Sequence, residues 1–196
     1  MKLFGPRYPE EIAKRIPPGQ RLVKTWPVLH FGPIPDFDES TWNLEVNGLV
    51  DKPYSLTYAE LKELGPVDVQ ADMHCVTGWS TLDNTWTGVP FPEVAKLVRP
   101  RPEARHVMAH SFGGYTANIP IDELMRDDVL IAHRHNGEPL AAEHGGPVRL
   151  VVPQLYFWKS AKWLRGFVFM MGEDPGFWEQ YGYHIHGDPW KEERYA

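Results

Sequence analysis

Val67-Asp68-Val69-Gln70-Ala71-Asp72-Met73-His74-Cys75-Val76-Thr77-Gly78-Trp79-Ser80 is the stretch on which the reading of this chain turns. Its first residues alternate apolar and polar, the period of a half-buried strand. The alternation then runs into a cysteine followed by Gly-Trp-Ser, which is loop chemistry rather than core chemistry. Cys75 is the single cysteine of the 196 residues, so no internal disulfide is available and nothing suggests an oxidising compartment. Three readings stay open for its thiol. It is a thiolate ligand for a soft redox metal, a nucleophile activated by a neighbouring base, or an inert buried side chain.

Outward from that stretch the chain predicts short elements. Trp42 to Val46 alternates as a strand, with Asn47-Gly48 as a turn signal. Thr57 to Leu64 predicts a helix opened by a Thr57-x-x-Glu60 capping box. Phe91 to Val98 predicts a second helix, and Asp122 to Arg126 a helical turn. Strands are expected over His106 to Phe112, Tyr115 to Ile119, Val129 to His133, Val148 to Val152 and Phe167 to Met171. The order has no strict βαβ rhythm, so the expected fold class is α+β, with mixed β-sheets and short helices. One domain over 1–196 is expected, with an extended N-terminal arm at 1–40 and a C-terminal tail at 173–196. Nineteen prolines and seventeen glycines favour rigid, shaped loops between the elements.

Composition excludes several classes. Twenty basic against 26 acidic residues give a net charge of −6, so no nucleic-acid footprint is expected. No run of about 18 apolar residues is present, so no membrane insertion is expected. Met1 to Arg7 shows neither an apolar signal core nor a twin-arginine signal, which gives a cytoplasmic expectation. Neither nucleotide-cradling glycine motif nor a Gly-x-Ser-x-Gly elbow occurs.

Two further clusters carry chemistry. His144-Gly145-Gly146-Pro147-Val148-Arg149 sets a His and an Arg around a glycine turn before an apolar strand. The glycines would let a ligand approach the backbone, and Arg offers a forked donor to a phosphate; the alternative is a plain turn with a surface Arg. Trp158-Lys159-Ser160-Ala161-Lys162-Trp163 could form an anion pocket from two lysines and a serine, or a solvated charged loop. His133-x-His135 and His184-x-His186 make a zinc site conceivable, without the usual zinc spacings.

Taken in order, these clusters resemble the molybdenum domain of the sulfite oxidase-type molybdopterin oxidoreductases over roughly residues 25 to 172. Cys-Val-Thr-Gly-Trp-Ser from Cys75 matches the family's metal-ligating cysteine. Trp86-Thr87-Gly88-Val89-Pro90 looks like the Trp-x-Gly-Val segment that follows. The most specific match is Asp128-Val129-Leu130-Ile131-Ala132, then Asn136-Gly137-Glu138-Pro139-Leu140, then His144 to Arg149. The tail from Pro175 to Trp190 resembles that of small stand-alone bacterial members.

The resemblance implies a sulfite oxidase molybdopterin-domain-like fold and a molybdenum-molybdopterin cofactor, of the plain-pterin form. Cys75 would ligate the metal. Arg149, Ser160 and Lys162 would hold the pterin phosphate, with Ala161, His144, His110 and His30 as further cofactor contacts. His133, where sulfite oxidases have a tyrosine, is the candidate for proton transfer beside the metal. The expected reaction is oxygen-atom transfer to or from a small sulfite-like or S-/N-oxide substrate, with a separate electron-transfer partner. Leu29 replaces a substrate-side arginine, and Thr77-Gly78-Trp79 replaces a basic run, so a sulfite dianion would meet fewer cations. The competing readings are a non-catalytic molybdopterin-binding or carrier protein, and a cysteine-nucleophile enzyme.

Overall fold

Proline and glycine at this density cut the chain into short pieces, and in the computed structural model, which describes residues 8–196, few elements exceed nine residues. The expectation drawn from Met1 to Arg7 lies outside the described residues. The chain runs through α1 (Glu10–Ala13), β1 (Arg21–Leu22), an irregular stretch, β2 (Asn43–Gly48), β3 (Tyr54–Thr57), α2 (Tyr58–Glu63), β4 (Val67–Cys75) and β5 (Trp79–Pro90). It continues with α3 (Phe91–Val98), β6 (His106–Ser111), β7 (Thr116–Pro120), α4 (Ile121–Leu124), β8 (Leu130–His135), β9 (Glu138–Pro139), β10 (Arg149–Val151) and β11 (Leu164–Met170).

Two mixed sheets result. In the first, β5 pairs antiparallel with β4 and β8 and parallel with β1, while β8 also pairs with β9 and β10. The second has the order β3-β2-β11-β6-β7, with β2 and β11 parallel. This is the α+β class that the sequence predicts.

Local rules set several boundaries. The Thr57 hydroxyl accepts from the Glu60 amide, and the Glu60 carboxylate accepts from the Thr57 amide, so the capping box opens α2. Pro92 sits in the first turn of α3, where no amide donor is needed. Asn47-Gly48 is not a hairpin turn: it ends β2, with Gly48 at φ +87°. A Cβ there would stand 2.2 Å from the Phe169 carbonyl oxygen.

The main core fills the space between the sheets. It takes Leu44 and Val46 of β2, Phe91, Val94 and Val98 of α3, Val107 and Ala109 of β6, Ile131 of β8 and Phe167 and Phe169 of β11. Strand alternation then leaves Leu130 and Ala132 of β8 on the other face of the first sheet, with Ala71 and Met73 of β4, Trp86 of β5 and Val151 of β10. Trp26 of the arm and Phe157 pack on this smaller cluster. Beside it stand Cys75, Val76, Trp79, Tyr156 and Trp158, covered by Trp178 and Tyr183 of the tail. The second face of the first sheet is therefore where arm, tail and Cys75 converge.

Candidate functional site

A cavity of about 320 Å³ opens on that face, at the lower end of the range of about 300–1,000 Å³ usual for small-molecule and cofactor sites. Cys75 reaches it from the end of β4. The next residues turn back into β5, with Gly78 at φ +90° and its amide donating to the Cys75 carbonyl at 2.9 Å. Burial pushes the Cys75 thiol pKa up, against the Thr77 hydroxyl 3.2 Å from Sγ. No imidazole lies within hydrogen-bond reach of Sγ among the described residues. The adjacent His74 places Nδ1 2.8 Å from Ser80 Oγ and is held near pKa 4 by burial. A Cys–His nucleophile pair is thus unsupported. A buried thiol with no base becomes a thiolate readily only beside a metal cation.

Arg149 shares the site face with Val151 on β10 and is only 1% exposed. It donates to the carbonyls of His144 at 2.8 Å and Ser160 at 2.7 Å, and lies 4.2 Å over the Phe157 ring. Burial lowers its pKa to about 9, and no carboxylate meets it among the described residues. Lys162, on the same wall, donates to the Glu143 carbonyl at 2.6 Å. Burial first, and then Arg149, lower Lys162 to about 7. Fully buried Arg149 and half-buried Lys162 thus stand side by side, and among the described residues the only carboxylate whose charge reaches them is that of Glu143, on Lys162, a costly arrangement unless a ligand supplies further negative charge. Ser160 and Ala161 are buried in the loop that joins them, and the Ser160 hydroxyl accepts from the Val152 amide.

His30 lines the cavity edge-on to Trp163, with ring centroids 5.3 Å apart. His144 stacks on Trp26 at 4.0 Å beside the cations, its buried Nδ1 without a partner. The indole Nε1 atoms of Trp79 and Trp86 are also buried without partners. The glycine turn has another job than the one expected of it. A Cβ on Gly146 would stand 2.2 Å from the Leu140 carbonyl oxygen, so the glycines allow backbone packing that delivers Arg149.

Three nominated residues fall elsewhere. His133 has no partner on β5, because the register skips it between Thr87 opposite Arg134 and Gly88 opposite Ala132. This bulge reverses the alternation. His133 is left beside Arg134 and Lys62, and His135 instead packs 4.5 Å from Trp86 and 5.2 Å from Trp26. Of the His133-x-His135 pair, the cross-strand register puts His135 rather than His133 beside these indoles. His110 follows Val107 and Ala109, which point into the core. It therefore faces outward, in a shallow groove with Asn43, Glu45 and Arg165. Lys159 leaves the expected anion pocket altogether: its ammonium pairs with the Glu179 carboxylate and donates to the Asn118 carbonyl at 2.7 Å.

Residues 31–178 match the family described as the oxidoreductase molybdopterin binding domain. The chain belongs to that family. Over 98% of both chains it is 46% identical to an uncharacterized oxidoreductase, YuiH, of Bacillus subtilis. It is 28% identical over 169 residues to the protein-methionine-sulfoxide reductase catalytic subunit MsrP of Ralstonia nicotianae, covering 76% of this chain and 51% of that one. The sulfane dehydrogenase SoxCD of Paracoccus pantotrophus superposes with a TM-score of 0.65 at 21% identity, over 87% of this chain and 56% of that one. The protein is a molybdopterin-dependent oxidoreductase of the sulfite oxidase-like fold. Its residues fit the cofactor: two cations short of negative charge for a phosphate, orphaned ring nitrogens for a polar heterocycle, and one thiol for the metal.

Proposed function

We propose that this oxidoreductase removes the oxygen atom from small neutral S-oxides. One observation carries the reading. The Cys75 thiol packs in an aromatic cluster with Trp79, Trp158, Trp178 and Tyr183, on the cavity that Arg149 and Lys162 also line. The charge felt at the thiol is that of Arg194, whose guanidinium is engaged with the carbonyls of Val76 and Pro18. Leu29 lines the cavity as well. A sulfite dianion would face one cation, Arg194, for its two charges, whereas a neutral S-oxide needs no counter-charge. The methionine-sulfoxide reductase subunits among the relatives support the same substrate class.

In this reading Arg149 and Lys162 hold the cofactor's phosphate, His144 and His30 flank its ring system, and the Cys75 thiolate holds the metal. Bound molybdenum supplies a centre that exchanges two electrons and accepts or gives an oxygen atom. The net reaction converts an S-oxide, two electrons and two protons into a thioether and water. A separate one-electron carrier delivers the electrons. The protein's own part is to bind the substrate oxygen, exclude bulk water with its aromatic wall and keep the thiolate in place.

The test uses the molybdenum-loaded protein with reduced viologen as donor and methionine sulfoxide as acceptor. It is run beside sulfite oxidation with ferricyanide. Faster turnover of the S-oxide is expected; sulfite oxidation as the dominant activity would overturn the reading. Cys75→Ser should bring turnover to background while circular dichroism stays unchanged, because a hydroxyl is a poor substitute for a thiolate. Full activity in that variant would remove Cys75 from the metal.

A further inference from the structure

The family match ends at residue 178, yet the cavity does not. Tyr183, beyond that boundary, lines it together with Trp178 and Cys75. The segment that carries Tyr183 is tightly docked. The Lys159 ammonium binds the Glu179 carboxylate and the Ile185 carbonyl. The Tyr156 amide donates to the Gly187 carbonyl at 2.7 Å, and His186 lies between the carboxylates of Glu193 at 2.7 Å and Glu123 at 3.1 Å.

The ring of Tyr183 is held by stacking on Trp178 at 5.2 Å, with Trp158 edge-on at 5.1 Å and Tyr195 at 5.5 Å. Its hydroxyl makes no hydrogen bond to protein among the described residues. The other phenol on the wall, Tyr115, is committed to the Trp158 carbonyl at 2.5 Å.

From this placement we infer that the Tyr183 hydroxyl is the donor that binds the substrate's sulfur-bound oxygen beside Cys75. The aromatic wall of the tail then sets which S-oxides enter. An S-oxide oxygen is a strong acceptor, and an uncharged donor on an aromatic wall recognises it without requiring a net negative charge on the ligand. The inference deepens the S-oxide reading and rests on it. Tyr183 contributes a specificity-determining contact from a segment outside the matched domain.

Tyr183→Phe keeps the ring and removes only the donor. Binding to the cofactor-loaded protein is read by tryptophan fluorescence with two probes, methionine sulfone and methionine, which differ in the oxygens on sulfur. The variant should bind the sulfone about tenfold more weakly, the scale of one lost hydrogen bond, and methionine unchanged. Pterin and molybdenum content should stay at the wild-type level. Equal weakening for both probes would mean a merely structural ring and overturn the inference; so would unchanged sulfone affinity, or a wild type that binds the sulfone no better than methionine. Selective sulfone loss in a protein that turns over sulfite but no S-oxide would keep Tyr183 as the oxygen donor and sink the S-oxide function alone.

Discussion

Lys159 and Lys162 stand three residues apart in one loop, the first fully and the second partly drawn out of water, and they meet opposite fates. Lys159 is 0% exposed and fully provided for, with the Glu179 carboxylate and the carbonyls of Asn118 and Ile185 around its ammonium. Lys162 has one carbonyl, and the charge of Arg149 beside it outweighs that of the Glu143 carboxylate. The first lysine closes the fold by pinning the tail to the loop. The second is incomplete in the protein alone. The difference teaches which buried charge marks a ligand: the one whose counter-charge the chain supplies only in part.

Breaking the closed site should give the largest effect. Lys159→Met leaves Glu179 buried and unpaired, an error that costs about 3–5 kcal/mol. A large drop in denaturation midpoint is expected, while the molecules that fold keep their pterin. Selective pterin loss at unchanged stability would reverse the roles of the two lysines. Arg149→Ala should act the other way round. Removing one charge-assisted partner of the phosphate, worth about 1.5–3 kcal/mol, should weaken cofactor retention by about tenfold to a hundredfold. Oxidised-pterin fluorescence per folded chain measures it, and unchanged pterin content would take Arg149 out of the anion site.

The comparison also shows what one sequence reveals. Period and capping made α2, α3 and most core strands legible, because those signals are local. β5 was not, since Thr81-Leu82-Asp83-Asn84-Thr85 lacks alternation and its strand character comes from pairing on both sides. In the same way the resemblance brought Arg149 and Lys162 together, but Lys159 was grouped with Lys162 because its partner Glu179 lies 20 residues away in the tail. His133 was preferred to His135 because a bulge is a property of two strands, and no single-strand count contains it. Tyr183 reaches the cavity only through the docking of a segment that carries no strong periodicity of its own.

The sharpest test of the incomplete lysine is also the gentlest. In the cofactor-free protein Lys162 loses its proton near pH 7, far below its ordinary 10.5, because burial and Arg149 oppose the charge more than Glu143 favours it. Below pH 7 the lysine is charged in folded and unfolded chains alike, and the full cost of burying it is present. From pH 7 towards 10.5 the unfolded chain holds the extra proton, so this cost is progressively relieved and stability rises with pH. The apo-protein's midpoint should therefore climb between pH 7 and 9, and Lys162→Met should lose that part of the slope. Cofactor retention should run in the opposite sense. A phosphate pairs with the charged lysine, so above pH 7 binding must first take up a proton and retention must weaken. Lys162→Met should hold the pterin more loosely at pH 7, by about tenfold for one charge-assisted contact, and show less change from pH 7 to 9. Both slopes belong to one proton. If either survives in the variant at wild-type size, the proton sits on another group, and Lys162 differs from Lys159 only in having a poorer partner.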